Sequence, residues 1–450
     1  MTRSTIMDTN SFRPEHAEGL DPATRALTER RSAVLGGSYR LFYRRPVHLV
    51  RGEGQYLFDA DGTRYLDMYN NVASLGHCHP AVVEAVTRQM QLLNTHTRYL
   101  HEGILDYTDD LLTTFPAPPT GEWKAMYMCT GSEANDLALR VAKAWSGGEG
   151  FIATTEAYHG TSELTSGVSP ALGSGQPIAP TARLVPAPDV YRTGVDPTRI
   201  GSWFADRVRA AIDDLEAHGT KLAAFIADSV FSSDGVLPAP AGYLAEAVDV
   251  VRAAGGVFIA DEVQPGFART GEEFWGFARH GIVPDLVTLG KPMGNGVPVS
   301  GVVAREEVLA AFSDRIPYFN TFGGNPVSMA AAQAVLTTIR SEGLQEHSAK
   351  VGTAMRADLE GLRQKHPAVG DVRGTGLFTG LELVTDPATR EPDRDLALAV
   401  LEELRDRGVL TSVAGPHGNV LKLRPPLAFQ VADTDWLVGA LDASLTALGR

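Results

Sequence analysis

Between residues 125 and 304, short apolar runs alternate with stretches of helical periodicity. The runs are AMYMCT (125–130), FIATT (151–155), ARLVPA (182–187), LAAFIAD (222–228), GVFIAD (256–261), DLVTLG (285–290) and VSGVVA (299–304). Uninterrupted apolar runs of this length read as strands covered on both faces. Their alternation with helices predicts an α/β fold with a seven-stranded, mostly parallel sheet in a large domain. Upstream, VHLVRGEGQYLFDADGTRYLDMY (47–69) alternates apolar and polar positions around the turn signals GEG and DADG, which predicts an antiparallel meander. Residues 1–35 read as a polar helical lead-in, and residues 80–116 and 326–366 as helices. From VGDVRGTGLFTGLELV (369–384) onward, strands and helices mix as in a smaller α+β domain, against which the meander is expected to pack. The expected division is 1–70 as an N-terminal segment joining the small domain, 71–330 as the large domain, and 331–450 as the C-terminal small domain.

Bulk properties narrow the function classes. A chain of 450 residues, 44% hydrophobic and 21% charged, is long enough for two or three domains and ordinary for a soluble globular protein. The net charge of −14 argues against a large nucleic-acid footprint, which needs a basic face. Two cysteines, Cys78 and Cys129, suggest no disulfide framework and a reducing compartment. The first residues contain no apolar signal region, and no run of about eighteen apolar residues predicts a membrane span. The expected setting is the cytoplasm, with no metal, nucleic acid or membrane as partner.

In open α/β sheets ligands bind beyond the carboxyl ends of the strands, so the residues following each run are the candidates. Lys291 follows DLVTLG and precedes a loop rich in glycine and proline. Lysines at strand ends mostly reach solvent. A buried one is tolerated where its charge is removed or used, as in a Schiff base. Asp261 ends GVFIAD, where an acid is costly unless paired. It could hold a protonated pyridine nitrogen, or form a salt bridge to a local arginine such as Arg269. Gln264 could hydrogen-bond a ring hydroxyl, and Tyr158 offers a stacking face. In TGSEAND, Gly131 and Ser132 open a helix whose free amides suit a phosphate. The plain alternative is an ordinary N-cap. Together these groups are what pyridoxal 5'-phosphate chemistry needs: an imine-forming lysine, an acid for the pyridinium, a phosphate cup and a ring-stacking aromatic.

GHCHP (76–80), TGSEAND, AYHG, FIADEVQPGFARTG, VTLGKPMGNGVP and FNTFGGNP (319–326) resemble the class III pyridoxal-phosphate-dependent aminotransferases of fold type I, over nearly the whole chain. The resemblance implies that Lys291 is the Schiff-base lysine and that Asp261 pairs with the pyridinium. It places Gln264 near the ring oxygen, Tyr158 on the ring, and Gly131 and Ser132 on the cofactor phosphate. It also implies that Thr321 reaches the phosphate of a neighbouring subunit's cofactor, hence a homodimer with shared sites, with pairing into tetramers left open.

YNNVASLGHCHP, QLLNTHTRYLHEGI, YFNTFGGNPVSMA and GPHGNVLKLRPPL resemble one branch in particular, the phospho-lyases acting on ethanolamine phosphate or phosphohydroxylysine. Many ω-aminotransferases carry a glutamate–proline pair after the fifth strand, where this chain has Asp228–Ser229. The reaction implied is elimination of phosphate and ammonia from a small phosphorylated amine, giving acetaldehyde from ethanolamine phosphate. Two alternatives stand beside it: an ω-aminotransferase moving an amino group from an amine to a keto acid or aldehyde, and a catalytically silent cofactor-binding scaffold. A phosphorylated substrate needs a second anion site, for which Arg98, Arg424 and the YRR at 43–45 are candidates, with His417 weaker and Tyr43 as a pocket-lining residue.

Overall fold

The computed structural model describes residues 8–450. The first seven residues of the predicted helical lead-in lie outside the described residues. Its helix spans Pro22–Val34, with the Asp21 carboxylate accepting from the Thr24 amide as N-cap. The meander follows as β1 (Leu49–Glu53), β2 (Tyr56–Asp59) and β3 (Arg64–Asp67), each antiparallel to its neighbour. Two helices, Pro80–Leu92 and Glu102–Leu112, then lead into the main sheet.

That sheet contains β4 (Trp123–Met128), β5 (Gly150–Thr154), β6 (Ala182–Val185), β7 (Leu222–Ala227), β8 (Val257–Asp261), β9 (Leu286–Leu289) and β10 (Ser300–Arg305). The spatial order is β4-β10-β9-β8-β7-β5-β6. Only β10 runs against its neighbours; the other contacts, from β9 through β6, are parallel. All seven predicted strands are present. Their sequences are legible because both faces are covered. In β7, Phe225 and Ala227 join the core on one face, and Ala224 and Ile226 join the core on the other. Helix Gly131–Ser146 covers the second of these faces through Leu137, Ala138 and Val141.

The C-terminal part begins with helices Pro326–Ser341 and Leu344–Lys365. It continues as β11 (Val369–Thr375), β12 (Phe378–Leu383), β13 (Val409–Leu410), β14 (Ser412–Ala414) and β15 (Val420–Leu423), with helices Arg394–Asp406 and Val431–Ala447. Strands β11, β12, β15 and β14 form one sheet, in that order, while β13 pairs in parallel with β3 of the meander. The meander therefore packs with the C-terminal elements, as the alternating pattern predicts. No described helix is long and apolar enough to cross a membrane.

Register positions the site. Asp261 at the end of β8 is paired with Thr288 of β9, so Lys291 emerges on the adjacent strand just beyond it. Ala227 of β7 is paired with Ala260, which sets Asp228 beside Asp261 on the other side. Three neighbouring strands thus deliver an acid, an acid and a lysine to one rim.

A tight backbone contact ties the C-terminal part to the large sheet. Gly376, at φ +50°, forms the turn between β11 and β12. A Cβ there would lie 2.2 Å from the Arg269 carbonyl oxygen, and a Cβ on Gly352 would lie 1.8 Å from the Gly376 oxygen. Both obstacles are backbone atoms, so no side-chain rotation relieves them. The variant Gly352→Ala is expected to lose about 1–3 kcal/mol of stability, read as a lower denaturation midpoint. An unchanged midpoint would show that the helix Leu344–Lys365 shifts at no cost.

Candidate functional site

The rim of the sheet encloses a cavity of about 260 Å³ lined by Gly131, Ser132, Tyr158, Asp228, Asp261, Val263, Gln264 and Lys291, among others. Each group arrives from a different strand end. Lys291 stands at the start of a single 3-10 turn, Lys291–Gly294, directly after β9 and Gly290. Burial, followed by the nearby Arg424 guanidinium, pulls its ammonium from the usual range down to about 8, against the opposing pull of Asp261 and Asp228. A lysine so placed carries an appreciable fraction of free amine near neutrality, which imine formation requires.

Asp261 is buried and well partnered. Its Oδ2 accepts from Asn135 Nδ2 at 2.9 Å and from His159 Nδ1 at 2.7 Å, and its Oδ1 accepts from the Val263 amide at 3.1 Å. Burial alone would raise its pKa, but the hydrogen bond and charge of His159, with Asn135 and Lys291, outweigh it and hold the carboxyl below its usual value. The acid therefore stays ionised at the bottom of the cavity. Arg269 is not its partner. That guanidinium is fully buried elsewhere and donates through Nη1 to the carbonyls of Leu377 and Pro425.

Helix Gly131–Ser146 begins against the cavity. Thr130 is its N-cap, in a reciprocal capping box with Glu133. That box satisfies the Thr130 and Glu133 amides and leaves those of Gly131 and Ser132 for a ligand. A 16-residue helix carries a useful N-terminal field for an anion. The cup is too close for side chains. A Cβ on Gly160, at φ +138°, would stand 2.6 Å from Ser132 Oγ, which explains the glycine of AYHG. A Cβ on Gly131 would stand 3.1 Å from Val263 Cγ1. Tyr158 is half-buried at the cavity wall, with its hydroxyl pushed above the usual phenol range by burial. An amine, a buried ionised acid, an anion cup and an aromatic wall therefore fit pyridoxal 5'-phosphate in shape and charge.

Gln264 also lines the cavity, and its Oε1 accepts from Arg424 Nη1 and from Lys422 Nζ. Arg424 is buried, with Nε and Nη2 donating to the Tyr69 carbonyl at 3.0 and 2.7 Å. Asp228 is half-buried, accepts from the Val230 amide and from Ser232, and is pushed up chiefly by loss of solvent.

The other sequence candidates lie apart from this cluster. Tyr43 is buried at φ +67°, with its hydroxyl donating to the Thr411 carbonyl at 2.7 Å, in a separate cavity beside Tyr69. His417 is exposed and borders another cavity, with Arg394. Arg98 is exposed on the single chain, its guanidinium 4.1 Å above the Phe319 ring. Thr321 is likewise exposed, in a loop moored by Asn320 Nδ2 to Glu133 at 2.8 Å.

Three residues of the cluster escaped sequence reasoning: His159, Asn135 and Lys422. His159 and Asn135 stand inside motifs already singled out, AYHG and TGSEAND. Lys422 had a usable signal, since a lysine within VLKLRPPL interrupts an otherwise apolar strand.

Comparison with known proteins agrees with this geometry. The aminotransferase class-III family profile matches residues 42–445. The chain is 41% identical over 429 residues to an alanine–glyoxylate aminotransferase 2-like protein of Drosophila melanogaster, covering 93% of this chain and 86% of that one. It is 38% identical over 442 residues to ethanolamine-phosphate phospho-lyase homolog 1 of Caenorhabditis elegans, covering 94% of each. Among solved structures, a phospholyase from Arthrobacter in complex with phosphoethanolamine superposes with a TM-score of 0.89 at 41% identity, covering 94% of this chain and 99% of the other.

A lysine with so depressed an ammonium, if it is the one that takes the cofactor's carbonyl, makes that capture depend on pH. The rate at which the apoprotein forms its coloured adduct with pyridoxal 5'-phosphate should rise as pH climbs through about 8 and level off above it. Stopped-flow absorbance measures this. A profile still rising steeply at pH 10 would mean that Lys291 keeps an ordinary ammonium.

Proposed function

Given that the chain belongs to the class III aminotransferase family of pyridoxal-phosphate enzymes, we propose that it is a phospho-lyase, eliminating phosphate and ammonia from a small phosphorylated amine such as ethanolamine phosphate or phosphohydroxylysine. One observation supports an anionic substrate, and by itself it serves a lyase and a transaminase alike. Arg424 is buried next to Lys291, yet its acceptors, the Tyr69 carbonyl and the Gln264 amide oxygen, are neutral. No carboxylate pairs with it at ion-pair distance among the described residues. A buried guanidinium without a counter-ion favours an anionic ligand, and a phosphate ester supplies that charge. The likeness to a phospholyase that binds phosphoethanolamine supports the same choice.

Bound pyridoxal 5'-phosphate supplies a carbonyl that takes up the substrate amine and a pyridinium ring that accepts the electron pair released at the adjacent carbon. The residues do the rest. The Gly131 and Ser132 amides and the Ser132 hydroxyl would hold the cofactor phosphate, Tyr158 would cover the ring, and Lys291 would supply the amine that anchors the cofactor. Asp261, kept ionised by His159 and Asn135, keeps the proton on the ring nitrogen. Lys291 Nζ, once free, takes the proton from the carbon next to nitrogen. The carbon–oxygen bond to phosphate then breaks, and Arg424 balances the charge of the departing group. With one water consumed, ethanolamine phosphate yields acetaldehyde, ammonia and inorganic phosphate.

Thr321 and Arg98 belong to this proposal only in an assembly. Both are exposed on one chain and sit on adjoining segments, which suits a homodimer in which Thr321 reaches the partner's cofactor phosphate. We further propose cytoplasmic residence and a division of the chain near residues 70 and 330. Tyr43 and His417 stay outer candidates for the substrate's path. The transaminase reading keeps its own support in the aminotransferase 2-like name of the Drosophila relative.

The test is holoenzyme with ethanolamine phosphate and no keto acid, assayed for phosphate and ammonia. Continuous release of both in equal amounts is expected. Turnover only when an amine and a keto acid or aldehyde are supplied together would replace the lyase with a transaminase. Lys291→Ala should keep its fold and lose at least about a thousandfold in kcat, since a general base and the covalent anchor disappear together. Full activity in that variant would refute the assignment of the base.

A further inference from the structure

Gln264 presents an amide with two unlike ends, an accepting oxygen and a donating nitrogen. Its oxygen is taken on the inner side by two donors, Arg424 Nη1 and, at 3.2 Å, Lys422 Nζ. Its backbone carbonyl accepts from Asn71 Nδ2 at 3.3 Å, which anchors the residue from the far side. Arginine has no lone pair to offer in any protonation state, so an inverted amide would press Nε2 against a guanidinium with nothing to accept it. The orientation is thereby fixed: Oε1 faces inward and Nε2 is left for the cavity that contains Lys291.

Lys422 is an unusual residue to find there. It sits in β15 between β12 and β14, opposite Gly380 and Ser412, and is only 8% exposed. Its neighbours of charge are Arg424, Asp228, Lys291 and Asp234, and none is within ion-pair distance. Among the described residues its close side-chain acceptor is the Gln264 oxygen. A buried lysine used in this way holds another side chain in place.

We propose that Lys422 is a positioning residue that, together with Arg424, pins the acceptor end of the Gln264 amide and so presents Nε2 as a hydrogen-bond donor to the ring oxygen of the cofactor. The inference depends on the cofactor and not on the fate of the substrate, so it holds for a lyase and a transaminase alike. A donor at the ring oxygen favours its ionised form. Removing Lys422 loosens that donor, which moves the midpoint for protonation of the linked Lys291 nitrogen upward.

The experiment reads the visible spectrum of purified holoenzyme against pH, without substrate, for the parent, Lys422→Met and Lys422→Arg. The methionine variant should retain cofactor and shift its spectral midpoint upward by about half a pH unit or more, roughly a threefold change in the ionisation constant. The arginine variant should restore the parental midpoint. An unmoved midpoint overturns the proposal. If it is joined by a raised KM for ethanolamine phosphate, Lys422 serves the substrate's anion instead. Should Lys422→Met fail to fold, the near-isosteric Gln264→Glu makes the same test, because it keeps both inner donors and replaces the donating nitrogen by oxygen. Its midpoint should rise further than that of any lysine variant, and a spectrum like the parent's would refute the amide orientation.

Discussion

The ionised carboxylate of Asp261 at the bottom of the cavity is the constraint on which the rest of the site depends. An unpaired carboxylate in a sheet core is too expensive to keep, at several kcal/mol even after relaxation. The chain keeps it by bringing two polar side chains from elsewhere, His159 after β5 and Asn135 from the helix Gly131–Ser146. The Asn135 amide also donates to the His159 carbonyl at 2.8 Å, so the acid and its two partners form one closed set. The helix that carries Asn135 is the helix whose first amides form the anion cup. The loop that carries His159 is the loop that carries Tyr158. Satisfying one buried charge therefore fixes the positions of the phosphate cup and of the aromatic wall at the same time.

Much of this was legible in the chain. Seven strands were readable because each is buried on both sides, leaving runs such as LAAFIA without a polar interruption. The meander was readable because it alternates. The cluster of Lys291, Asp261, Gln264, Tyr158, Gly131 and Ser132 followed from strand ends and a helix start, since an open parallel sheet brings these positions to one rim. The partner of Asp261 was not legible. Arg269 is near in sequence, but the chain turns it away, into the carbonyls of Leu377 and Pro425. His159 is about a hundred residues distant from Asp261, and only the crossover connecting β5 to the neighbouring strands brings it near. Sequence proximity is a poor guide to charge pairing where parallel strands are joined by long crossovers.

The outer candidates show a different limit. Arg98 and Thr321 are chosen by motif, and on one chain both face outward. Their segments adjoin, through Arg98 over Phe319 and Asn320 on Glu133. Glu133 is itself the capping-box acid of the helix that forms the phosphate cup. The loop that bears Thr321 is thus moored to the start of that helix, with Thr321 itself exposed.

Charge balance bears on both reactions open to this family. Lys291 lines the cavity and Arg424 is buried against Gln264, while Asp261 is committed to His159 and Asn135 and burial pushes Asp228 upward. Burial also pulls the Lys291 and Lys422 ammonium groups down, so Arg424 is the cation in this group that a ligand would balance. A substrate carboxylate brings one negative charge and a phosphate ester nearly two, and either complements that guanidinium. Asp228, after β7, is tied to Ser232 and the Val230 amide and acts on Arg424 through its field, without an ion-pair contact.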